Sequence, residues 1–350
     1  MFRCNAARTG TRTGSGPAAR LPRVRWRFRT GGPVQGSPVT LGGRVVFGSQ
    51  DGQIYCLDMQ SGHEVWRVPV ASQFAASTPA CTADSVFYTA LDEEIHALDL
   101  AAGRERWSAM TGNFVGSSSP LVAEGKAITG SCTGEVLAFD ARDGKPLWKG
   151  RTDHAVISAP ALSSTNLYAG SLDGHLYAFS LASGERIWRF DTGGPVYCTP
   201  AVTNETVFFT AADNHLYAIE SMTGKLRWNI RLDGPTEAGP PLISRLVPSP
   251  CIWADTVVAG TGDDLLQAFE ADRGKVRWRF RPSGEVVSSP AAVDGSLYAG
   301  SCDGFLYALD VTSGEVRWRF DSGSAVRSSP AIAGDFVVFG TDSGVVFALE

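Results

Sequence analysis

The chain has 350 residues, of which 43% are hydrophobic and 19% charged, the composition of a soluble globular protein. A formal net charge of −5 gives no basic face, which argues against nucleic acid as a partner. No stretch approaches the roughly 18 apolar residues of a membrane-spanning helix, so no transmembrane segment is expected.

Residues 1–22 read as an extended lead-in. "MFRCNAARTGTRTGSG" lacks the apolar core of a signal peptide, which places the chain as written in the cytoplasm. A native start farther upstream would leave an extracytoplasmic location open. The basic residues before Arg29 read as a solvated arm. The seven cysteines are odd in number and contain no CxxC pair, so neither a zinc site nor a disulfide framework is expected. Buried, reduced thiols are the expectation, and they fit a reducing compartment.

The segment "RVRWRF" at residues 23–28 reads as a strand that belongs to no complete unit near it. The first full unit follows. "VQGSPV" supplies a short strand; "RVVFGS" and "QIYCLD" are β-branched and aromatic runs joined by the turn "QDG"; "HEVWRV" comes after the turn "QSG". This pattern then recurs. Tryptophans stand at 26, 66, 107, 148, 188, 228, 278 and 318, in steps of 40 or 41 with one step of 50. A glycine lies four residues before each of them from Trp66 to Trp318, and a proline opens each of eight units, from Pro38 to Pro330. Three markers with one period define a repeat architecture. Four short strands per unit, with no helical period, predict an all-β fold: an eight-bladed β-propeller of four-stranded antiparallel blades in a single domain, residues 23–350. The proline suits an inner strand with one edge on the central channel, because it cannot donate to a ladder.

The last unit, "GTDSGVVFALE", ends without its tryptophan strand. Residues 23–29 are predicted to supply it, so that blade eight combines residues 325–350 with the N-terminal strand and the ring has no open edge. The step of 50 places an insertion, "DGPTEAGPPLISRLV", before the inner strand of blade six, where its prolines preclude a helix or central strand. It is expected as a semi-rigid loop over the rim, either a neutral extension or a lid or partner contact.

The phrases "IYCLDMQSGHEVW", "LYAFSLASGERIW" and "LYALDVTSGEVRW" resemble the PQQ-like repeat, whose tryptophan-docking motif closes each blade of an eight-bladed propeller. The resemblance covers about residues 23–350. It implies a bacterial binding propeller like the BamB-type assembly lipoproteins, a propeller module of the kind attached to bacterial kinases, or a quinoprotein dehydrogenase that binds pyrroloquinoline quinone and calcium. Quinoproteins commonly carry adjacent cysteines over the quinone and ligands in added loops. This sequence has no Cys-Cys pair and short turns, so neither PQQ nor calcium is expected, and no other cofactor or metal.

A site is sought where the repeat is broken. The turn before each inner strand and the "GSxDG" turn should share the face around the channel mouth, a usual place for a ligand. Three residues before the prolines stand Gln35, Tyr197 and Arg327 among smaller side chains, with Phe74, Phe114, His154, Glu237 and Glu285 just outside. These eight are the candidate ligand-binding residues. Asp51, Asp173 and Asp303 read as turn formers. Cys132 and Cys302 occupy equivalent turns of opposite blades, too far apart to bridge. The leading reading is a non-catalytic, monomeric binding or scaffold propeller holding a protein segment or small ligand at the mouth. The alternative is an enzyme, in a bacterial biosynthetic pathway, with His154, Tyr197 and Glu285 as catalytic candidates, His154 as general acid or base and Arg327 holding an anionic group. A PQQ-dependent dehydrogenase comes third.

Overall fold

The first repeat shows how the sequence makes a blade. Strands Val39–Leu41, Arg44–Ser49, Gln53–Asp58 and Glu64–Pro69 pair in that order, all antiparallel. The two middle strands are almost wholly buried, which is why they read as continuous apolar runs. The outer strand alternates, with Trp66 as its buried residue. The tight turns need positive φ, and Gly42, Gly43, Gly52 and Gly62 provide it. This computed structural model describes residues 22–70, 77–112, 118–233, 248–260 and 264–350, and they form eight such four-stranded sheets. Residues 1–21 of the lead-in, and the blade-six insertion beyond Asp233, lie outside the described residues.

The ring closes as the sequence predicts. The strand Val24–Arg29 is the outer strand of blade eight and pairs with Val345–Leu349, with Trp26 opposite Ala348 and Phe28 opposite Val346. Arg23 and Glu350 exchange two backbone hydrogen bonds of 2.8 Å, so the two ends of the described chain are bonded to each other.

Blades adhere through the indoles. The Trp26 indole N–H donates to the Met59 carbonyl of the next blade at 2.8 Å, and Trp66 donates in the same way to Leu100 at 2.9 Å. The pattern continues through Trp107, Trp148, Trp188, Trp228 and Trp278. Beneath each ring lies the glycine that the sequence places four residues before the next tryptophan. A Cβ on Gly103 would sit 2.7 Å from the Trp66 ring, and one on Gly62 2.6 Å from Trp26. A second linkage, around the channel, is built from the hydroxyl residue before each repeat proline. The Ser37 N–H donates to the Thr78 hydroxyl, Thr78 N–H to Ser119, Thr199 N–H to Ser249, Ser249 N–H to Ser289, Ser289 N–H to Ser329, and Ser329 N–H back to Ser37. Ala159 holds this place in blade four, and the belt of hydroxyls is interrupted there.

The cysteines depart in part from expectation. Cys56, Cys81, Cys198 and Cys251 are buried, but Cys132 is exposed and Cys302 half-buried, because both stand in turns at the mouth rather than in strands. Cys198 takes the place of a serine: its thiol donates to the Thr210 carbonyl and accepts from the Thr210 N–H, as the Ser158 hydroxyl does with Gly170.

Two measurements check this architecture. Deleting residues 1–29 removes the outer strand of blade eight and should cause aggregation or a large loss of melting temperature, whereas deleting residues 1–19 should leave it nearly unchanged. Asp310 gives the second. A hydrogen bond from the Thr312 hydroxyl, then Arg317, hold its carboxyl below the usual carboxylate range against the effect of burial. The stability it contributes is present above the unfolded value near 3.8 and lost as pH falls through the lower folded value. Asp310→Asn should therefore lower the melting temperature at pH 7 and flatten its decline below about pH 4.

Candidate functional site at the channel mouth

Two kinds of turn meet at the mouth, and hydrogen bonds join them. The Gln50 N–H in the second-to-third-strand turn of blade one donates to the Pro33 carbonyl at 2.8 Å, and the Val34 N–H donates to Thr341 in the same turn of blade eight at 3.0 Å. The aspartate of each "DG" turn locks the contact. Asp51 accepts from the Gly31 N–H at 2.8 Å, from the Tyr55 hydroxyl at 2.7 Å and from the Gln53 N–H at 3.1 Å. Asp173 with Tyr177, Asp213 with Tyr217 and Asp303 with Tyr307 repeat the arrangement. Burial, followed by the adjacent carboxylate, pushes the phenols of Tyr55, Tyr177, Tyr217 and Tyr307 up to about 12, so they remain donors. These aspartates are turn formers, as their position in the sequence indicates.

The residues that vary between blades make a polar cluster over blades seven, eight and one. Arg327 Nε donates to Asp342 Oδ2 at 2.9 Å, and Gln35 Nε2 donates to Asp342 Oδ1 at 3.1 Å. Gln50 Nε2 in turn donates to Gln35 Oε1 at 2.7 Å. Burial works against the Arg327 charge, but Asp342, then Glu285, hold its pKa above the usual value. The Arg327 side chain keeps 32% of its surface exposed. The Cys302 thiol lies in the same field; burial pushes it up while Arg327 opposes. Beneath this sector, at the opposite end of the channel, a cavity of about 580 Å³ is lined by Ser37, Leu41, Met59, Ser329 and Phe336.

Of the predicted residues, Gln35 and Arg327 are thus brought together through Asp342, with the exposed Glu285 beside them. His154 is exposed in blade four, and its Nδ1 accepts from the Ala155 N–H at 2.8 Å. Tyr197 is half-buried in blade five. No bond joins either of them to the Arg327 cluster among the described residues. Phe74, Phe114 and Glu237 lie outside the described residues. Asp342 and Gln50 were missed from the sequence. Both occupy the variable position of the "GSxDG" turn, and that variability inside a fixed phrase was the available signal. In blade two the same turn and the strand after it gather Asp92, Glu94 and His96, whose donor atoms lie within 4.8 Å of one another.

The model of the family described as "Outer membrane protein assembly factor BamB" matches residues 18–156, 133–261 and 250–350. The chain belongs to this family. No curated protein sequence matches it. Among solved structures, BamB from Moraxella catarrhalis superposes with a TM-score of 0.77 at 15% identity, over 94% of this chain and 100% of that one. A europium-containing methanol dehydrogenase gives 0.79 at 15%, over 99% and 96%, and the quinohemoprotein alcohol dehydrogenase from Comamonas testosteroni 0.81 at 13%, over 99% and 79%. At these identities the superpositions establish the propeller fold. The expectation of a cytoplasmic protein gains no support from a family named for outer-membrane protein assembly. Among the described residues no helix is long and apolar enough to cross a membrane.

Thiol reactivity checks the mouth directly. Under native conditions iodoacetamide should modify Cys132 well before Cys56 and Cys81, whose thiols burial raises to about 12 and about 11. Peptide mass spectrometry at successive times reads the order, and equal rates at the three sites would contradict the placement of that turn.

Proposed function

We propose that the protein is a non-catalytic binding propeller that holds an acidic partner segment at the mouth, over blades seven, eight and one. The observation that carries this reading is the Arg327 guanidinium. Its Nε is fixed by Asp342, and Asp342 is fixed in turn by Gln35, while the two terminal nitrogens have no partner among the described residues. An anchored guanidinium with its fork free presents a bidentate seat for a carboxylate. Side chains that are already fixed lose little entropy on binding. Membership of the assembly-factor family favours a protein segment as the occupant and an extracytoplasmic site of action.

The turn aspartates of blades one, four, five, seven and eight do not suit a quinone and calcium. The carboxylates of Asp51, Asp173, Asp213 and Asp303 are engaged by tyrosine hydroxyls and backbone N–H groups, and that of Asp342 by Arg327 and Gln35. A hard cation requires several free oxygen ligands. Spectra recorded with added quinone and calcium should therefore show no bound chromophore.

The test is selection of peptides from a random display library by the wild type and by Arg327→Gln. Wild-type binders should share an acidic residue and lose at least tenfold in affinity to Arg327→Gln, with the melting temperature of the variant unchanged. Binders without an acidic preference, or equal affinity for both proteins, would refute the reading.

A further inference from the structure

Blade two departs from its neighbours at one turn. Where blades one, four and seven carry Asp-Gly with a tyrosine three residues after the glycine, blade two reads Asp92-Glu93-Glu94-Ile95-His96. His96 stands in the place of Tyr55, and its ring is fixed. It is 7% exposed and stacks on Tyr88 with centroids 4.7 Å apart and planes 9° from parallel. Its Nδ1 lies 3.1 Å from Glu105 Oε2, the outer carboxylate that would orient a metal-binding imidazole. Its Nε2 lies 2.9 Å from Asp92 Oδ2 and 3.8 Å from Glu94 Oε2. Once Nδ1–H donates to Glu105, a neutral ring turns a lone pair toward two carboxylate oxygens. A cation placed between these three atoms would engage all of them.

We propose that blade two binds a first-row divalent metal ion between Asp92 Oδ2, Glu94 Oε2 and His96 Nε2. Metal–ligand bonds of about 2.1 Å put adjacent ligands about 3.0 Å apart in octahedral and about 3.4 Å apart in tetrahedral geometry. The observed 2.9 and 3.8 Å span these values, so small rotations of Glu94 complete the set. The charge also fits. Three carboxylates, those of Asp92, Glu94 and Glu105, surround one imidazole, and among the described residues no lysine or arginine pairs with any of them. One imidazole and two carboxylates suit zinc or manganese, and three protein ligands leave coordination positions open toward the mouth.

The competing account makes His96 a substitute for tyrosine that pairs only with Asp92, and Glu94 a solvated turn residue. Two variants separate the accounts. His96→Tyr restores the residue of blades one, four, five and seven, so the blade should still fold. Glu94→Gln removes a ligand charge while keeping its shape. Zinc binding is measured by titration calorimetry on the full chain without a tag, with bound metal counted by elemental analysis after dialysis. The wild type should bind one zinc ion that both variants lose, or bind at least tenfold more weakly. Zinc should raise the melting temperature of the wild type alone. Failure of the wild type to bind zinc, or undiminished binding by either variant, would overturn the site.

Discussion

One contact organises this molecule: the indoles of Trp26, Trp66, Trp107, Trp148, Trp188, Trp228 and Trp278 each lie on the backbone of a glycine turn in the next blade. The ring can approach so closely because the glycine has no side chain, and the turn can form because glycine accepts a φ near +70°. An indole buries roughly 150–250 Å², a few kcal/mol at about 25 cal/mol per Å². Its N–H finds a carbonyl on the same turn, so the contact is directional as well as apolar. This single contact spans neighbouring repeats, so its geometry sets both their spacing and their angle. Everything at the mouth depends on that angle.

Closure depends on it too. A ring of docked blades leaves its first and last sheets facing each other; the N-terminal strand completes blade eight and carries Trp26, which docks on the Gly62 turn of blade one, so the joint is sealed by both the strand and a contact of the same type. The belt of hydroxyls bridges the same joint, where the Ser329 N–H meets Ser37. Gln35 meets Asp342 there as well, at a separation of 307 residues in sequence. The Arg327 cluster therefore sits where the ring is sealed, on elements whose positions are fixed by closure. A binding group held in this way is preorganised by the fold rather than by the loop that carries it.

The sequence made the fold legible because the constraints on it are local and periodic. Tryptophan, glycine and proline recur at fixed distances, and each has one physical reason to do so. The turn role of Asp51 could be read for the same reason, since its bond to Gln53 is local. The site was legible only in part. Arg327 and Gln35 stood out as departures from the repeat, but their common partner, Asp342, was hidden, because its bond to Gln35 crosses the closure and its bond to Arg327 joins two separate turns of blade eight. His154 and Tyr197 also stood out, yet blades four and five hold them away from that cluster. A hydroxyl residue precedes every repeat proline except Pro160, but its partner lies a whole blade away, and nothing local announces it. Blade two is the opposite case. "DEEIH" is short and contiguous, but its meaning lies in the contrast with "DGQIY" and "DGHLY".

The central claim, that indole docking on glycine turns holds the blades together, is tested most directly by two alanine substitutions. Gly103 and Gly125 have nearly equal φ values of +69° and +71°, so alanine carries a similar backbone strain at both. They differ in surroundings: a Cβ at Gly103 meets the Trp66 ring at 2.7 Å, whereas one at Gly125 has nothing within 4 Å. Denaturant unfolding should find Gly103→Ala less stable than Gly125→Ala by about 1–3 kcal/mol, the usual cost of overpacking. Equal losses of stability in the two variants would contradict the account.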